Sequence, residues 1–484
     1  MKKLFVAVLC ILLVFACKKK EDPEPFLSLS TSSLSTQLDG DTVTVEIRAN
    51  GPWTASATYA EEAGAEAGTG TTGTGTCATG TGTGAVLGIS PSQGDGYETV
   101  TLTIPEQRHN GKYTVTFQGS GSLASLSASL VITQEGIYVR LFKSQVASGE
   151  DSKSNICLDA VAYYTKDPEG NLLEVSGLIA YPSNLNDIKG VICFPNYTIL
   201  DDASCATTSM DASGTVFAKH GYVTLIPDYI GFGLSSHVPH PYLHRQLTAQ
   251  TCVDMIYAGH EYFRRKGVTL SKHLKIVGYS QGGYSALALQ RELEANYANT
   301  FTVDKVYAGA GPHHISAIFD DYRKTNWTGY NCSVPNVMLG LDYGARLHCD
   351  FSRVFKPFLL EKYKEWYFSK KYTSDEVNAF LIEDDEANDA ISNYIVDDMF
   401  AFGMNAELNK IYDACKANDN LDWTPKAPII LLHSKDDTYV PYFNSLDAYN
   451  AFTERGADVT LATYAYIDHL ATALVFVALV LLDL

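Results

Sequence analysis

The sequence predicts an α/β protein in two parts, an N-terminal antiparallel β-sandwich and a larger domain in which strands alternate with helices. Between residues 26 and 136 the chain consists of short alternating runs rich in Thr and Val, separated by Gly, Asn and Asp, which is typical of antiparallel strands. From about residue 152, apolar strand-like runs alternate with helical patterns, which indicates a mostly parallel sheet. A length of 484 residues accommodates one large domain and one smaller one.

Composition and charge narrow the possible functions. The chain has 36 Lys and Arg against 55 Asp and Glu, a net charge of −19, which repels nucleic-acid phosphates and anionic membrane surfaces. Its hydrophobic content of 46% is that of a globular protein. We therefore expect no nucleic-acid partner.

The first residues have the pattern of an export signal. Two lysines precede thirteen apolar residues, 4–16, a run too short to span a bilayer but typical of a signal peptide. The run ends at Cys17 in a sequence that resembles a bacterial lipobox, whose cysteine receives a diacylglycerol before cleavage. The resemblance implies that residues 1–16 are removed, that Cys17 carries lipid and that 17–25 form a tether. Lys18, where an Asp would retain many lipoproteins at the inner membrane, favours the outer membrane, and nearby acidic residues resemble a surface-export signal. An ordinary secretory signal is the alternative.

One of the ten cysteines lies in the predicted signal peptide, and another is Cys17. The remaining eight form no CxxC or zinc-binding pattern. Disulfides can persist in an export compartment. Cys193 and Cys252 lie in apolar runs, and buried thiols are favoured over pairing there. Cys332 and Cys349 are the first candidates for a disulfide.

The N-terminal segment 26–136 resembles the BACON domain, a Bacteroidetes-associated, often N-terminal carbohydrate-binding module. The similarity is carried by residues 50–53, 89–94 and 131–136. An inserted tract of Gly and Thr, residues 68–84, is predicted to be a mobile loop. Trp53 is a candidate for weak glycan contact, but a core position for Trp53, with the domain acting as a spacer, is favoured.

The second domain is expected over residues 152–484, after a linker at 137–151. A turn signal at 167–171 separates two strands of a hairpin. Between about 313 and 425 the pattern is helical, with helices expected at 355–371 and 374–402, and this segment is predicted to be a helical cap. The apolar end, 470–482, is predicted to be a buried helix, since it is too short for a membrane span. The other predicted strands are 190–194, 222–227, 274–279, 303–308, 428–433 and 459–467, and the other helices are 248–266 and 283–295.

Residues 278–282 read Gly-Tyr-Ser-Gln-Gly, a G-x-S-x-G sequence directly between a predicted strand and a predicted helix. Such a turn holds a serine in strained geometry, and the flanking glycines avoid clashes. Ser280 is therefore the predicted nucleophile, and a plain helix N-cap serine is the alternative. Because a serine hydroxyl is a weak nucleophile, it needs a base and a carboxylate that orients the base.

The acid and base are expected downstream, in the order Ser, Asp, His. Asp437 follows the strand 428–433, and its Asp-x-x-Val-Pro spacing selects it over Asp436. His469 follows the strand 459–467. Because carboxyl ends of parallel strands meet at one edge of a sheet, the three side chains are expected to converge there.

The oxyanion of an acyl-transfer reaction needs two hydrogen-bond donors. Gln281, which follows the nucleophile, is the first candidate. Thr198 is the second, with Tyr197 as the alternative, since 196–198 stand where a His-Gly-x motif commonly lies. Asp228 precedes the serine and is interpreted as a carboxylate that fixes a loop.

Several other histidines compete with His469. Those at 237, 240 and 244 have spacings that metal ligands might have, and those at 313 and 314 follow a strand, but they have no Cys or acidic partner in register. Pocket lining or loop hydrogen bonding is favoured for them, and no metal is expected. These residues are His237, His240, His244, His313 and His314.

Residues 227–233, 240–243, 278–283 and 468–469 look like segments of the secretory lipase family within the α/β-hydrolase superfamily. The resemblance covers roughly residues 157–484. It implies an α/β-hydrolase fold and cleavage of carboxylic esters through the predicted triad, without a cofactor.

Together these features predict a lipid-anchored serine hydrolase of the outer membrane, acting on small-molecule or polysaccharide-linked esters. A serine aminopeptidase on the same triad is one alternative, with the acidic run 383–386 as the group that would hold a free amine. A surface charge run is the favoured interpretation of those residues. A non-catalytic, glycan-binding surface lipoprotein is the other alternative, and it would leave the triad without a role.

Overall fold

A computed structural model describes residues 24–38, 40–61, 86–107, 110–147, 155–211, 213–382 and 389–484. The predicted signal peptide, Cys17, the Gly/Thr tract at 68–84 and the acidic run 383–386 lie outside the described residues. The chain divides into two compact units, Met1–Gly136 and Ile137–Leu484. Among the described residues, no helix is both long enough and apolar enough to cross a membrane.

The first unit contains two β-sheets that bury their inner faces. One has the strand order β1-β3-β7-β5, and the other has the order β2-β9-β8-β4-β6. All pairs are antiparallel except β2 with β9, which run parallel, so the predicted antiparallel pattern has one exception. The strands are β1 Leu27–Leu29, β2 Ser33–Thr36, β3 Asp41–Ala49, β4 Pro52–Glu61, β5 Gly88–Ser90, β6 Gln93–Asp95, β7 Glu98–Ile104, β8 Gly111–Gly119 and β9 Ser127–Gln134.

Trp53 is a core residue of this unit. Its side chain is 1% exposed and packs edge-on against Phe117, with ring centroids 5.9 Å apart. Alternate residues of β7 and β8, such as Val100 and Val115, are fully buried beside it, as period-2 patterning requires. The Trp53 ring is therefore not at the surface, where it would have to be to contact a glycan.

The second unit is built on a nine-stranded sheet with the order β10-β11-β12-β14-β13-β15-β16-β17-β18. The pairs from β10 to β14 by way of β11 and β12 are antiparallel, and the pairs from β14 to β18 are parallel. The strands are β10 Val139–Ala147, β11 Ile156–Lys166, β12 Leu172–Pro182, β13 Gly190–Cys193, β14 Tyr222–Pro227, β15 His273–Tyr279, β16 Thr302–Gly309, β17 Ile429–Ser434 and β18 Val459–Tyr464.

The segment expected to be a linker, 137–151, instead supplies the edge strand β10, which pairs with β11 from Val139 to Ala147. Most of its side chains after Arg140 are exposed, because an edge strand has few neighbours to cover it. Apolar and polar residues do not alternate along β10, which is why the sequence pattern suggested a connector.

Helices cover the sheet of the second unit and build the cap. The apolar residues of β13, β15 and β16, for example Val191, Ile276 and Val306, are buried against α3 and α4, as expected for a parallel sheet covered by helices. The helices are α1 Ala206–Ser209, α2 Thr215–Lys219, α3 Arg245–Arg265, α4 Gln281–Asn296, α5 Ile315–Thr325, α6 Ser333–Ala345, α7 Pro357–Tyr363, α8 Ser374–Leu381, α9 Ala406–Asn418, α10 Phe443–Glu454 and α11 His469–Asp483.

The segment between β16 and β17 is helical and has its own apolar core, which includes Phe355, Tyr394 and Leu408. Its helices are shorter than predicted. The helix expected at 355–371 is α7 continued by a π-helical turn, Lys364–Phe368, and α8 ends at Leu381. Residues 391–399 form two short 3₁₀ turns rather than a helix.

The terminal helix α11 is only half buried, which corrects the expectation of a buried helix. Phe476 and Val480 are fully buried against the sheet, whereas Leu474 and Leu482 are 76% and 91% exposed. Its sequence is apolar on every face, so the pattern could not distinguish the covered side from the uncovered one.

The expected disulfide between Cys332 and Cys349 is absent, since both thiols are free. Cys332 lies just before α6 and Cys349 lies beyond its end, so a helix of about 20 Å separates them. Cys193 and Cys252 are buried free thiols.

Candidate active site

Ser280 occupies a sharp turn between β15 and α4. Its backbone has φ 59° and ψ −124°, a conformation that L-residues adopt only under constraint. The turn depends on its glycines, because a Cβ on Gly278 would lie 2.0 Å from the Gly282 carbonyl oxygen, and one on Gly282 would lie 2.3 Å from the Pro195 carbonyl oxygen. The Ser280 amide donates to the Gly309 carbonyl at 2.8 Å, which ties the turn to β16. This is the strand-turn-helix geometry that the motif predicts.

His469 and Asp437 are in contact. The Nδ1 atom of His469 lies 2.6 Å from Oδ2 of Asp437, and both side chains are almost completely buried. Asp468 caps α11 by accepting a hydrogen bond from the Ala471 amide, which fixes the start of the helix at His469. The neighbouring Asp436 is exposed and accepts a hydrogen bond from the Tyr466 amide instead.

The Asp437 carboxylate has four polar partners. Oδ1 accepts hydrogen bonds from the amides of Tyr439 and Val440, each at 2.9 Å. Oδ2 is hydrogen-bonded to His469, and Nε2 of His433 lies 3.2 Å from the same oxygen. Burial alone raises the pKa of this carboxyl, but the bonds from His433 and His469 outweigh burial and hold the pKa below its ordinary value. Sequence reasoning did not single out His433, although it ends the same strand, four residues before Asp437.

Two tyrosines flank the His469 ring, and sequence reasoning missed both. The Tyr279 hydroxyl donates to the His469 carbonyl at 2.6 Å, and its ring lies 5.0 Å from the imidazole. The Tyr439 ring is stacked on the imidazole at 5.2 Å and 28°. On Tyr439 stacks Tyr330 of the cap, at 4.5 Å and 13°.

Gln281 begins α4, so its backbone N–H is one of the amides that a helix leaves free at its first turn. Its side chain is held by His240, whose Nε2 lies 2.8 Å from Gln281 Nε2. His240 Nδ1 lies 2.7 Å from the Ile230 carbonyl oxygen, so Nδ1 carries the proton and Nε2 accepts. Burial, aided by the charge of Lys370, lowers the pKa of His240 to about 3 and keeps the ring neutral.

Thr198 lies on the loop after β13. Its hydroxyl is hydrogen-bonded to the Tyr242 hydroxyl at 2.8 Å, and both residues line the cavity that Ser280 borders. The alternative, Tyr197, is 41% exposed and does not line that cavity. Asp228 accepts hydrogen bonds from Ser176 and Thr207, which is the arrangement expected of a carboxylate that fixes a loop.

The remaining histidines have local partners or none. His244 accepts a hydrogen bond from the Leu247 amide, and His314 bonds Asp447. His313 is fully buried, and neither of its ring nitrogens has a hydrogen-bond partner. In the described part of the chain, no group of three His, Cys, Asp or Glu side chains could hold a metal ion.

A cavity of about 600 Å³, its mouth included, opens at Ser280. Its walls come mainly from the cap helices α5 and α6, and Tyr439 and Thr198 also line it. The apolar lining from these helices consists of Ile315, Ile318, Phe319, Val334, Val337 and Met338.

The serine lies on a strand-turn-helix at the edge of a mixed sheet, and the Asp–His pair follows parallel strands of the same sheet. These features define an α/β-hydrolase. The model of the secretory lipase family matches residues 201–481, and the chain belongs to that family.

Curated relatives are distant in sequence. The secreted triacylglycerol lipase LIP4 of Malassezia globosa is 25% identical over 292 residues, which is 58% of this chain and 58% of the relative. The secreted triacylglycerol lipase LIP3 of Malassezia restricta is 22% identical over 312 residues, 61% of each chain. The chain thus spans about three fifths of the length of these relatives.

Solved structures share the fold. The rice cell wall degrading esterase LipA from Xanthomonas oryzae has a TM-score of 0.60 and 22% identity, over 69% of this chain and 94% of the esterase. Candida antarctica lipase A has a TM-score of 0.51 and 14% identity, over 68% of this chain and 77% of the lipase.

Proposed function

We propose that the protein is an exported serine hydrolase that cleaves carboxylic esters through an acyl-enzyme on Ser280. The observation that carries the proposal is the placement of Ser280, which stands in a strained turn and borders an apolar cavity. Family membership and the triacylglycerol lipases among the relatives support the same reaction class.

In the proposed reaction, His469 is the base. Its Nδ1 is bonded to Asp437, so Nε2 is the nitrogen left to take the proton from the Ser280 hydroxyl. As Ser280 Oγ attacks the ester carbonyl, Asp437 stabilises the imidazolium that forms. Its low pKa keeps it ionised for that role.

Two donors are proposed for the negative oxygen of the tetrahedral intermediate, the Gln281 amide and a donor from Thr198. Collapse of the intermediate breaks the bond to the alcohol, which leaves with the proton from His469 Nε2. Water, deprotonated by His469, then attacks the acyl-Ser280 ester. The bond to Ser280 Oγ breaks, Oγ takes the proton back from His469 Nε2, and the acid is released. No step of this scheme calls for a cofactor.

The cavity favours esters over aminoacyl substrates. In the described part of the chain its lining contains no Asp or Glu, whereas an aminopeptidase needs a carboxylate to hold the free amine. The acidic run 383–386, considered for that task, lies outside the described residues. The purely glycan-binding alternative loses support because the Trp53 ring is buried.

The proposal also gives roles to the predicted lipid anchor and to the N-terminal unit. Lipid on Cys17 would hold the enzyme at the outer membrane, and the BACON-like unit would act as a spacer that carries the catalytic unit away from the bilayer. Replacing the lipidated thiol by Cys17→Ser should release the full-length protein from the membrane fraction and leave its turnover on a soluble ester unchanged.

The experiment that tests the reaction class is a panel of nitrophenyl esters of increasing acyl length, assayed beside aminoacyl nitroanilides. We expect turnover of the esters and none of the anilides. Faster cleavage of the anilides would establish the aminopeptidase, and cleavage of neither series would contradict both proposals.

A further inference from the structure

The carboxylate of Asp437 has a second imidazole partner, His433, near the end of β17. Nε2 of His433 lies 3.2 Å from Asp437 Oδ2, the same oxygen that contacts His469 Nδ1 at 2.6 Å. The side chains of His433 and Asp437 are both completely buried. Two histidines therefore meet at one carboxylate oxygen in a site closed to solvent.

The partners of His433 determine which of its nitrogens carries the proton. Nε2 also lies 3.0 Å from the Val440 carbonyl oxygen, and a carbonyl, like a carboxylate, can only accept. Nε2 must therefore be protonated, with its hydrogen bonded to the Val440 carbonyl and lying close to Asp437 Oδ2. Nδ1 lies 2.8 Å from the Ser445 hydroxyl on α10, which can donate to it. The imidazole is thus held at both nitrogens.

The hydrogen bonds of Asp437 are divided unequally between its two oxygens. Two backbone amides donate hydrogen bonds to Oδ1. With these hydrogen bonds alone, the carboxylate could still rotate and move Oδ2. The only side chains that contact Oδ2 among the described residues are His433 and His469. Since His469 must move between two protonation states during the reaction, His433 is the partner that can keep Oδ2 in place throughout.

We propose that His433 is a positioning residue of the active site: its Nε2–H holds Asp437 Oδ2 in the orientation that His469 requires. This inference rests on the proposed function, because it gives His433 a task only if His469 is the base. His433 does not touch the substrate in this account and acts through Asp437.

Other groups surround His433. The Tyr442 ring lies edge-on at 5.8 Å. His313 is a further neighbour, and burial lowers the pKa of His313 to about 3. His313 therefore stays neutral and adds no charge to the pair. Loss of the His433 donor would leave more negative charge on Oδ2, which would stabilise protonated His469.

The test compares three substitutions in the full-length protein on a small soluble nitrophenyl ester. His433→Leu removes the donor, His433→Gln can place an amide nitrogen near the position of Nε2, and His433→Asn, one methylene shorter, cannot. We expect Leu and Asn to lower kcat about tenfold or more with KM little changed, and to shift the acid limb of the kcat/KM profile to higher pH. Gln should recover much of the loss.

Thermal unfolding separates positioning from stability. If all variants that fold have wild-type kcat and an unmoved acid limb, the inference is wrong, even where their unfolding temperatures fall. If His433→Leu does not fold, the comparison of Gln with Asn decides, and equal activity of these two would overturn the inference. A wild-type protein that does not hydrolyse the ester would overturn the proposed function and this inference with it.

Discussion

The ring of Tyr439 is stacked on the imidazole of His469 at 5.2 Å and 28°, and Tyr439 is also a donor to Asp437 through its backbone amide. One residue therefore contacts both members of the acid–base pair. Its outer face stacks on Tyr330, which belongs to the cap.

The first prediction concerns this stack. Tyr439→Ala should lower kcat about tenfold, because the His469 ring loses the aromatic surface that limits its tilt. The hydrogen bond from the backbone amide of residue 439 to Asp437 remains in this variant. Tyr439→Phe keeps the ring and should stay within about twofold of wild type. Steady-state kinetics on a soluble ester checks both, and an unaltered Tyr439→Ala enzyme would remove the stack from the account.

A second prediction separates the two adjacent aspartates. Asp437→Asn should lose on the order of 10⁴ in rate, because an amide in place of the carboxylate favours the wrong His469 tautomer. Asp436→Asn is the matched control, since Asp436 is exposed and its carboxylate accepts a hydrogen bond from the Tyr466 amide. The opposite ranking of the two rates would reassign the acid.

The third prediction is that the buried His313 makes the folded protein less stable as the pH falls. Burial lowers its pKa from 6.5 to about 3, so the folded protein holds it neutral while the unfolded chain protonates it below pH 6.5. Its contribution to stability is thus fully present above pH 6.5 and is lost as the pH falls towards 3. Between pH 6.5 and 5 the loss is about 2 kcal/mol.

Denaturant unfolding at several pH values measures this loss. His313→Leu should flatten the dependence of the free energy of unfolding on pH in that window, because leucine does not titrate. The exposed His220→Gln serves as the control. An equally steep dependence in His313→Leu would show that other groups, such as the buried His240, account for the loss.

A fourth prediction follows from the edge strand β10. A chain that begins at Ile137 should fold and keep its turnover on a small ester within about twofold, because it retains the whole nine-stranded sheet. A chain that begins at Asp151 lacks β10 and should be less stable, since β11 loses one of its two neighbouring strands and the buried Val139 is missing. Turnover and thermal unfolding of the two proteins provide the check. A folded chain from Ile137 without activity would mean that the N-terminal unit contributes to the site.

The sequence predicted where in the fold three candidate catalytic residues lie, and their roles stay predictions. Ser280, Asp437 and His469 each follow a strand of one sheet, so their order and local patterns predicted where the structure places them. His433, Tyr439 and Tyr330 could not be predicted in this way, because their roles come from tertiary contacts between segments that share no pattern.

The errors have a common cause as well. The period and polarity of a sequence segment indicate its secondary structure, but they do not show which other element packs against it. The sequence pattern therefore predicted a linker where the structure has the edge strand β10, and it predicted burial on all sides of α11. The Cys332–Cys349 pair failed for a geometric reason, since α6 lies between the two residues.

The central claim is that Ser280 is the nucleophile, and covalent labelling tests it most directly. After treatment with a fluorophosphonate, mass spectrometry should find the label on Ser280 and not on Ser333, the other serine that lines the same cavity. Ser280→Ala should abolish labelling and lower turnover by as much as ~10⁶ without changing the unfolding temperature much, whereas Ser333→Ala should still be labelled. A label on another residue, or ester hydrolysis by Ser280→Ala at a rate close to wild type, would contradict the account.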